Sequence, residues 1–221
     1  MALRRANATF EVLDVAYDLD SDTEESISDL ANQDPLSWDR EHVRKLFPRP
    51  NTSTSGVERR LCYGSDFPYR IPNNLIVETE QCKIEFSHGI GGFGNVWGAA
   101  MLPYDDYTLR DWPINVADLK ASYANVAQYV PLSADVDGLE NRFPIYSNRA
   151  SSLNRSAPID ALLKAFEKRE QFLRRHGIEF GRARVAVDSS GGPASCRYCG
   201  FCLDGCVYGS IFNPEIAVEG P

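Results

Sequence analysis

The segment Gly89-Ile90-Gly91-Gly92-Phe93-Gly94-Asn95-Val96-Trp97-Gly98 carries the reading of this chain. Its first six residues match G-x-G-x-x-G and follow a short run, Lys83 to Ser87, with strand character. A dinucleotide fingerprint would open a long amphipathic helix whose N-terminus takes a pyrophosphate. Here Gly98 and Pro103 leave room only for a short helix or a turn, and no strand ending in an acid follows at the expected distance. Two readings remain. A loop with little side-chain bulk lets backbone N–H groups approach a flat or anionic ligand, with Trp97 placed to cover a ring system. Otherwise the glycines form a turn in a core and Trp97 is simply buried.

Outward from this loop, alternating and periodic segments predict a mixed α/β chain. Strand-like runs are Thr9 to Val15, Leu75 to Thr79, Lys83 to Ser87 and Arg182 to Val187. Met1 to Arg5 reads as a last helical turn with Asn7 as its stop. Apolar spacing predicts a short surface helix over 23–32, a helix from Val116 to Tyr129, and a longer one from Ala157 to His176 stopped by Gly177. Residues 47–74, with four prolines and Arg59-Arg60, read as an irregular excursion, and Ser189 to Pro193 as a turn.

The chain has 221 residues, 43% of them apolar and 24% charged, enough to bury a core without disulfides or metals. Its formal charge of −8 argues against nucleic acid and anionic membranes as primary partners, since both require a basic face. That charge sits in residues 18–41, nine acids against Arg40 alone, so it bears on solubility more than on a ligand. Asp18-x-Asp20-x-Asp22 superficially resembles a calcium loop. Thr23 stands where the sharp turn needs Gly, and Asp29 where a bidentate Glu is needed. No apolar run is long enough for a membrane span, and MALRRANATF lacks the apolar core of a secretory signal, which predicts a cytoplasmic location.

Six cysteines complete the inventory. Cys62 and Cys82 are isolated, whereas Cys196, Cys199, Cys202 and Cys206 fall within eleven residues. The spacing C-x2-C-x2-C-x3-C is that of a bacterial ferredoxin loop, with Gly200 and Gly205 helping the chain wrap a [4Fe–4S] core. Val207 replaces the proline that follows such a run, and a single cluster would need a looser wrap or a further donor from Cys62 or Cys82. Zinc is cramped, because structural zinc sites separate two ligand pairs by a longer arm. A thiol-rich structural turn is the third reading. His88, beside the glycine loop, reads as a structural histidine.

The stretch Gly91-Gly92-Phe93-Gly94-Asn95-Val96-Trp97-Gly98-Ala99-Ala100-Met101-Leu102-Pro103-Tyr104 resembles the second flavin-contacting segment of the glucose–methanol–choline (GMC) oxidoreductases. Asp111-Trp112-Pro113 and the Cys196 to Gly209 element resemble the same family, so the likeness spans roughly residues 1–215. It implies a partial FAD-binding Rossmann-like domain over 1–110 and a partial substrate-side region over 111–221, with a cysteine-rich turn at 196–209. It implies FAD as cofactor, with Asp14, Gly91, Gly92, Asn95, Trp97 and Gly98 in contact with it. Phe10 to Asp14 resembles the second strand of the flavin domain, and Asp14 the acid that takes the adenosine ribose hydroxyls.

The activity implied is oxidation of a CH–OH group in an alcohol, sugar or sterol-like substrate. Hydride passes to flavin, and electrons leave to oxygen or another acceptor. Two departures stand out. The G-x-G-x-x-G after the family's first strand and the C-terminal His/His or His/Asn pair have no counterpart here, so catalytic residues are expected outside this chain. Gly94 also replaces a usual Ser. The alternatives from other classes are an iron–sulfur electron-transfer protein or subunit using Cys196, Cys199, Cys202 and Cys206, and an inactive remnant.

Overall fold

The computed structural model describes residues 8, 9, 11, 13, 14, 17–47, 59–73, 75, 78–82 and 84–215. The chain forms two compact units, one of Met1–Gly98 with Cys196–Pro221 and one of Ala99–Ser195. The boundary therefore falls at Gly98 rather than near residue 110, and the cysteine-rich turn belongs with the glycine loop rather than with the segment before it. Among the described residues the regular structure is helical, joined by isolated β-bridges, and no sheet forms. No helix among them is long and apolar enough to cross a membrane.

In the first unit, α1 (Ser21–Ala31) starts where the Asp20 carboxylate accepts hydrogen bonds from the Thr23 N–H and hydroxyl, both at 2.9 Å. Asp20 thus serves as a helix cap, and Asp22 and Glu24 in the first turn oppose the positive end of the helix dipole. A 3₁₀ turn, Pro35–Ser37, is capped by Asp34, and α2 (Arg40–Leu46) by Asp39, which accepts from the His42 N–H at 2.9 Å. Three aspartates of the acidic segment are therefore spent starting helical turns.

These elements position a core of Leu30, Trp38, Leu46, Phe47 and Val207. The Phe47 and Phe201 rings stack at 4.4 Å, and Trp38 stacks on Tyr208 at 5.8 Å. The Trp38 indole N–H donates to the Leu30 carbonyl (3.0 Å) and the Tyr208 hydroxyl to that of Gln33 (2.7 Å). Phe201 and Tyr208 bracket the last cysteines, so aromatic burial brings the far end of the chain into this unit.

The expected strands fare unevenly. The predicted run Thr9 to Val15 lies partly outside the described residues, as does all of Met1 to Asn7. The described residues of Leu75 to Thr79 and Lys83 to Ser87 form no strand, and Leu75, Ile84 and Phe86 are exposed. A strand without a neighbour leaves its backbone groups to water and gains nothing from alternation. Tyr17 does pair with Gly89 in a parallel bridge, its N–H donating to the His88 carbonyl at 3.2 Å.

In the second unit, α3 (Asp106–Leu109) is capped by Asp105, and α4 (Val116–Val126) by a capping box in which Asn115 and Asp118 satisfy each other's backbone N–H groups. Residues 127–129 continue α4 as turns. The helix expected from Ala157 to His176 is broken into α5 (Ala157–Glu167) and α6 (Glu170–Arg175), with Arg169 at φ −119 between them. No Gly or Pro signals that break. Gly177 is the stop, at φ +71, with the Gly177 N–H on the Arg174 carbonyl and the Ile178 N–H on that of Leu173, a Schellman closure.

Arg182 to Val187 forms no regular strand; Val185 bridges to Ala100 and Ser133, the Met101 N–H donates to the Arg184 carbonyl at 2.9 Å, and the Ala186 N–H to that of Ala99 at 2.7 Å. Beside it, Arg184 is 3% exposed and meets Asp137 at 3.2 Å, Glu140 at 3.4 Å and the Phe143 carbonyl at 2.7 Å. A groove of about 690 Å³ runs along the apolar face of α5.

Candidate functional site

In the first unit the glycine loop turns on Gly91 and Gly92, at φ +74 and +60, into a 3₁₀ turn, Gly92–Asn95. The Asn95 amide N–H₂ holds the Ile90 and Gly92 carbonyls at 2.7 and 3.0 Å, and its oxygen accepts from the Asn213 side chain at 2.7 Å. A Cβ on Gly91 would lie 2.5 Å from the Asn213 carboxamide oxygen, and one on Gly94 2.4 Å from Pro214. Those two glycines are needed for close packing against residues 213–214. A Cβ on Gly92 or on Gly98 would meet nothing within 4 Å, so these two leave backbone open for an incoming group.

Trp97 donates its indole N–H to the Phe212 carbonyl at 3.0 Å and meets the Phe212 ring edge-on. Its own carbonyl is held by Arg60, which also bonds the Val96 carbonyl, the Cys202 carbonyl and, at 2.6 Å, the Leu203 carbonyl. One guanidinium thus ties the end of the glycine loop to the middle of the cysteine run. The Tyr69 hydroxyl donates to the Arg60 carbonyl at 2.8 Å, and the Tyr63 N–H to that of Asp204 at 2.7 Å. Five N–H groups in a planar fork suit this task better than an ammonium would.

A cavity of about 270 Å³ opens between these segments. Trp97 and Arg60 contribute to its wall, with Cys62 and the carboxylates of Asp18, Glu24 and Glu215. Burial pushes the Cys62 thiol up to about 12, and Asp18 and Glu215 add to the rise. Burial likewise raises the Tyr63 phenol and the Cys199 and Cys202 thiols. The Phe201 backbone N–H partly offsets the rise at Cys199.

The residues expected to contact a cofactor separate into groups. Asn95 and Trp97 line the cavity, whereas Gly92 and Gly98 have open backbone but are not among its lining residues. Gly91 is committed to building the loop itself, and Asn95 both builds it and faces the cavity. Asp14 is exposed and is not among the residues lining this cavity. His88 is half-buried, its Nε2 without a hydrogen-bond partner among the described residues.

All six cysteines are free thiols. Cys62 shares the cavity wall with Cys206, whereas Cys82 is exposed. Among the described residues no three His, Cys, Asp or Glu side chains are gathered around a common point that could hold a metal ion. Arg60 and Asn213 escaped sequence reasoning. Arg60 was visible only as half of a basic pair in an irregular stretch, and nothing local marks either residue.

No family model, curated protein or solved structure matches the chain.

Proposed function

We propose that this chain is part of an FAD-dependent oxidoreductase acting on CH–OH groups of an alcohol, sugar or sterol-like substrate. In this reading the first unit is a partial flavin-binding domain of an α/β protein and holds the ring end of the cofactor. The observation that carries it is the 270 Å³ cavity into whose wall the glycine loop sends Asn95 and Trp97. A cavity of about 270 Å³ falls just below the usual size of small-molecule sites, about 300–1,000 Å³, with room for a ring system rather than a whole dinucleotide. Asp18, Glu24 and Glu215 in its wall repel a pyrophosphate, and the Arg60 guanidinium is engaged by carbonyls. The ring end therefore fits this cavity, and the phosphate end does not.

When bound, the flavin would supply hydride acceptance from the carbinol carbon, and the electrons would then leave to oxygen or another acceptor. This chain's own residues shape the cavity: Trp97 walls it, Arg60 fixes the Trp97 carbonyl, and Asn95 stiffens the loop. No described residue is assigned the role of taking the hydroxyl proton.

Fluorescence titration of the 221-residue chain with riboflavin, FMN and FAD tests the reading. Weak saturable quenching is expected, similar for all three because the phosphates are not gripped, and Trp97→Ala should remove it. No alcohol-dependent bleaching is expected. Absence of saturable quenching with any of the three flavins would overturn the proposal.

A further inference from the structure

Apart from Cys206, which shares the cavity wall, the cysteine run is left unused by the flavin reading. We propose that it is the binding site of an iron–sulfur cluster, with Cys196, Cys199, Cys202 and Cys206 as thiolate ligands. The geometry adds to the spacing what the spacing alone lacked. The Tyr198 N–H donates to the Cys196 sulfur at 3.4 Å, and the Ser210 and Ile211 N–H groups donate to the Cys206 sulfur at 3.2 and 3.4 Å. A neutral thiol is a weak acceptor, so a backbone that aims three N–H groups at two sulfurs gains most when those sulfurs carry charge. Hydrogen bonds to the sulfurs are also what tunes a thiolate-held cluster.

The backbone has the necessary curl. Tyr198 at φ +57, Gly200 at +88 and Gly205 at +157 all occupy conformations that L side chains avoid. A Cβ on Gly205 would lie 2.5 Å from the Tyr63 ring, so that residue must be glycine for the turn to close. The turn is also held from outside. Arg60 grips the Cys202 and Leu203 carbonyls, and Phe201 stacks on Phe47. A strained turn with anchored flanks is preorganised for a ligand rather than left to relax.

Among the described residues no three such side chains gather at one point, so ligation requires the cysteines to turn toward one another. Cys206 is preferred over Cys62 as the fourth ligand because its sulfur already receives two N–H groups. Four thiols within eleven residues suit a cluster better than the separated pairs of structural zinc sites. Binding is ligand exchange: each thiol gives up its proton as its S–Fe bond forms, and no electron moves.

The test uses the full chain, purified anaerobically and reconstituted with equal amounts of ferrous and ferric iron plus sulfide, the valences a [4Fe–4S]2+ core contains, so that assembly needs no separate oxidant. About four iron and four acid-labile sulfide per chain are expected, the content of a cubane cluster. In the native protein, loading should shield the exposed Cys202 from alkylation and leave the exposed Cys82 reactive. Cys196→Ser, Cys199→Ser, Cys202→Ser or Cys206→Ser should bring iron to background, whereas Cys62→Ser and Cys82→Ser should keep the wild-type content. Background iron in wild-type protein of unchanged circular dichroism would overturn the proposal. So would preferential uptake of one zinc per chain, or full iron content in Cys206→Ser. Riboflavin quenching is read separately, so this inference and the flavin reading can fail independently.

Discussion

The two units hold their chain by different physical means. The first buries large side chains, with Leu30 and Phe67 almost wholly enclosed and Trp38, Phe47, Phe201 and Tyr208 stacked on one another. The second buries mostly small residues, Ala127, Ala134, Ala186 and Ser133 among them, together with the charged Arg184. None of the residues of α4, α5 or α6 is buried, although α5 presents Ile159, Leu162, Leu163 and Phe166 along one side. The difference teaches that an amphipathic stripe in sequence does not by itself create a core. The stripe of α5 lines a groove, while α1, of the same length, and the shorter α2 each contribute one deeply buried leucine to an aromatic cluster supplied largely from elsewhere.

The largest effect should come from the aromatic cluster. Phe47→Ala removes a ring stacked on Phe201, and urea denaturation should show a loss of about 3–5 kcal/mol. Leu163→Ala in α5, half-exposed, should cost less than about 1 kcal/mol by the same measurement. Equal losses would erase the contrast between the units. Next, Arg184→Ala strands Asp137 and Glu140 beside a vacated interior, and should destabilise the second unit by about 3 kcal/mol. Hydrogen exchange resolved by segment should place that loss in residues 99–195.

Gly205→Ala comes third. It forces a Cβ into the Tyr63 ring at an unfavourable φ, and should cost about 2 kcal/mol, confined to the first unit.

The smallest effect, pH, should separate the units by sign. Burial raises the Asp135 carboxyl, but hydrogen bonds from Ser152 and Arg182 outweigh it and leave the value below normal. Its contribution is present above the ordinary carboxylate range, near about 4, and is lost as pH falls through the folded value. The Cys62 thiol, pushed up to about 12, behaves oppositely. Its contribution is complete below about 8.5, the ordinary thiol value, and fades as pH rises toward the folded one. Segment-resolved exchange should therefore show residues 99–195 loosening first in acid and the Cys62 region first in alkali. The same order at both extremes would contradict this assignment.

Much of the helical content was legible in local chemistry. The helix expected over 23–32 runs from Ser21 to Ala31, and Asp20, Asp39, Asp105 and Asn115 cap as short polar side chains do before a helical run. Gly177 stops α6 because only a residue tolerant of positive φ closes the helix end there. The break at Lys168–Arg169 was not legible, since both are good helix formers. The strands at 75–79 and 83–87 were read from β-branched and aromatic content, which reports a preference for a pleated surface and not whether a partner lies alongside.

The site divides along the same line. The sequence by itself determined where the glycine loop and the cysteine run lie, that Gly177 stops the last helix, and that the acidic charge is confined to residues 18–41. Those are consequences of neighbours a few bonds apart. Only the tertiary structure decided that Arg60 joins the glycine loop to the cysteine run, that Asn213 packs onto Gly91, and that Cys62 rather than Cys82 faces the same cavity as Cys206. It also decided that residues 196–209 belong with the first unit. The reason is physical: these pairings span up to about 140 residues and are chosen by aromatic burial and by carbonyls that need a donor, and neither leaves a periodic mark in the chain.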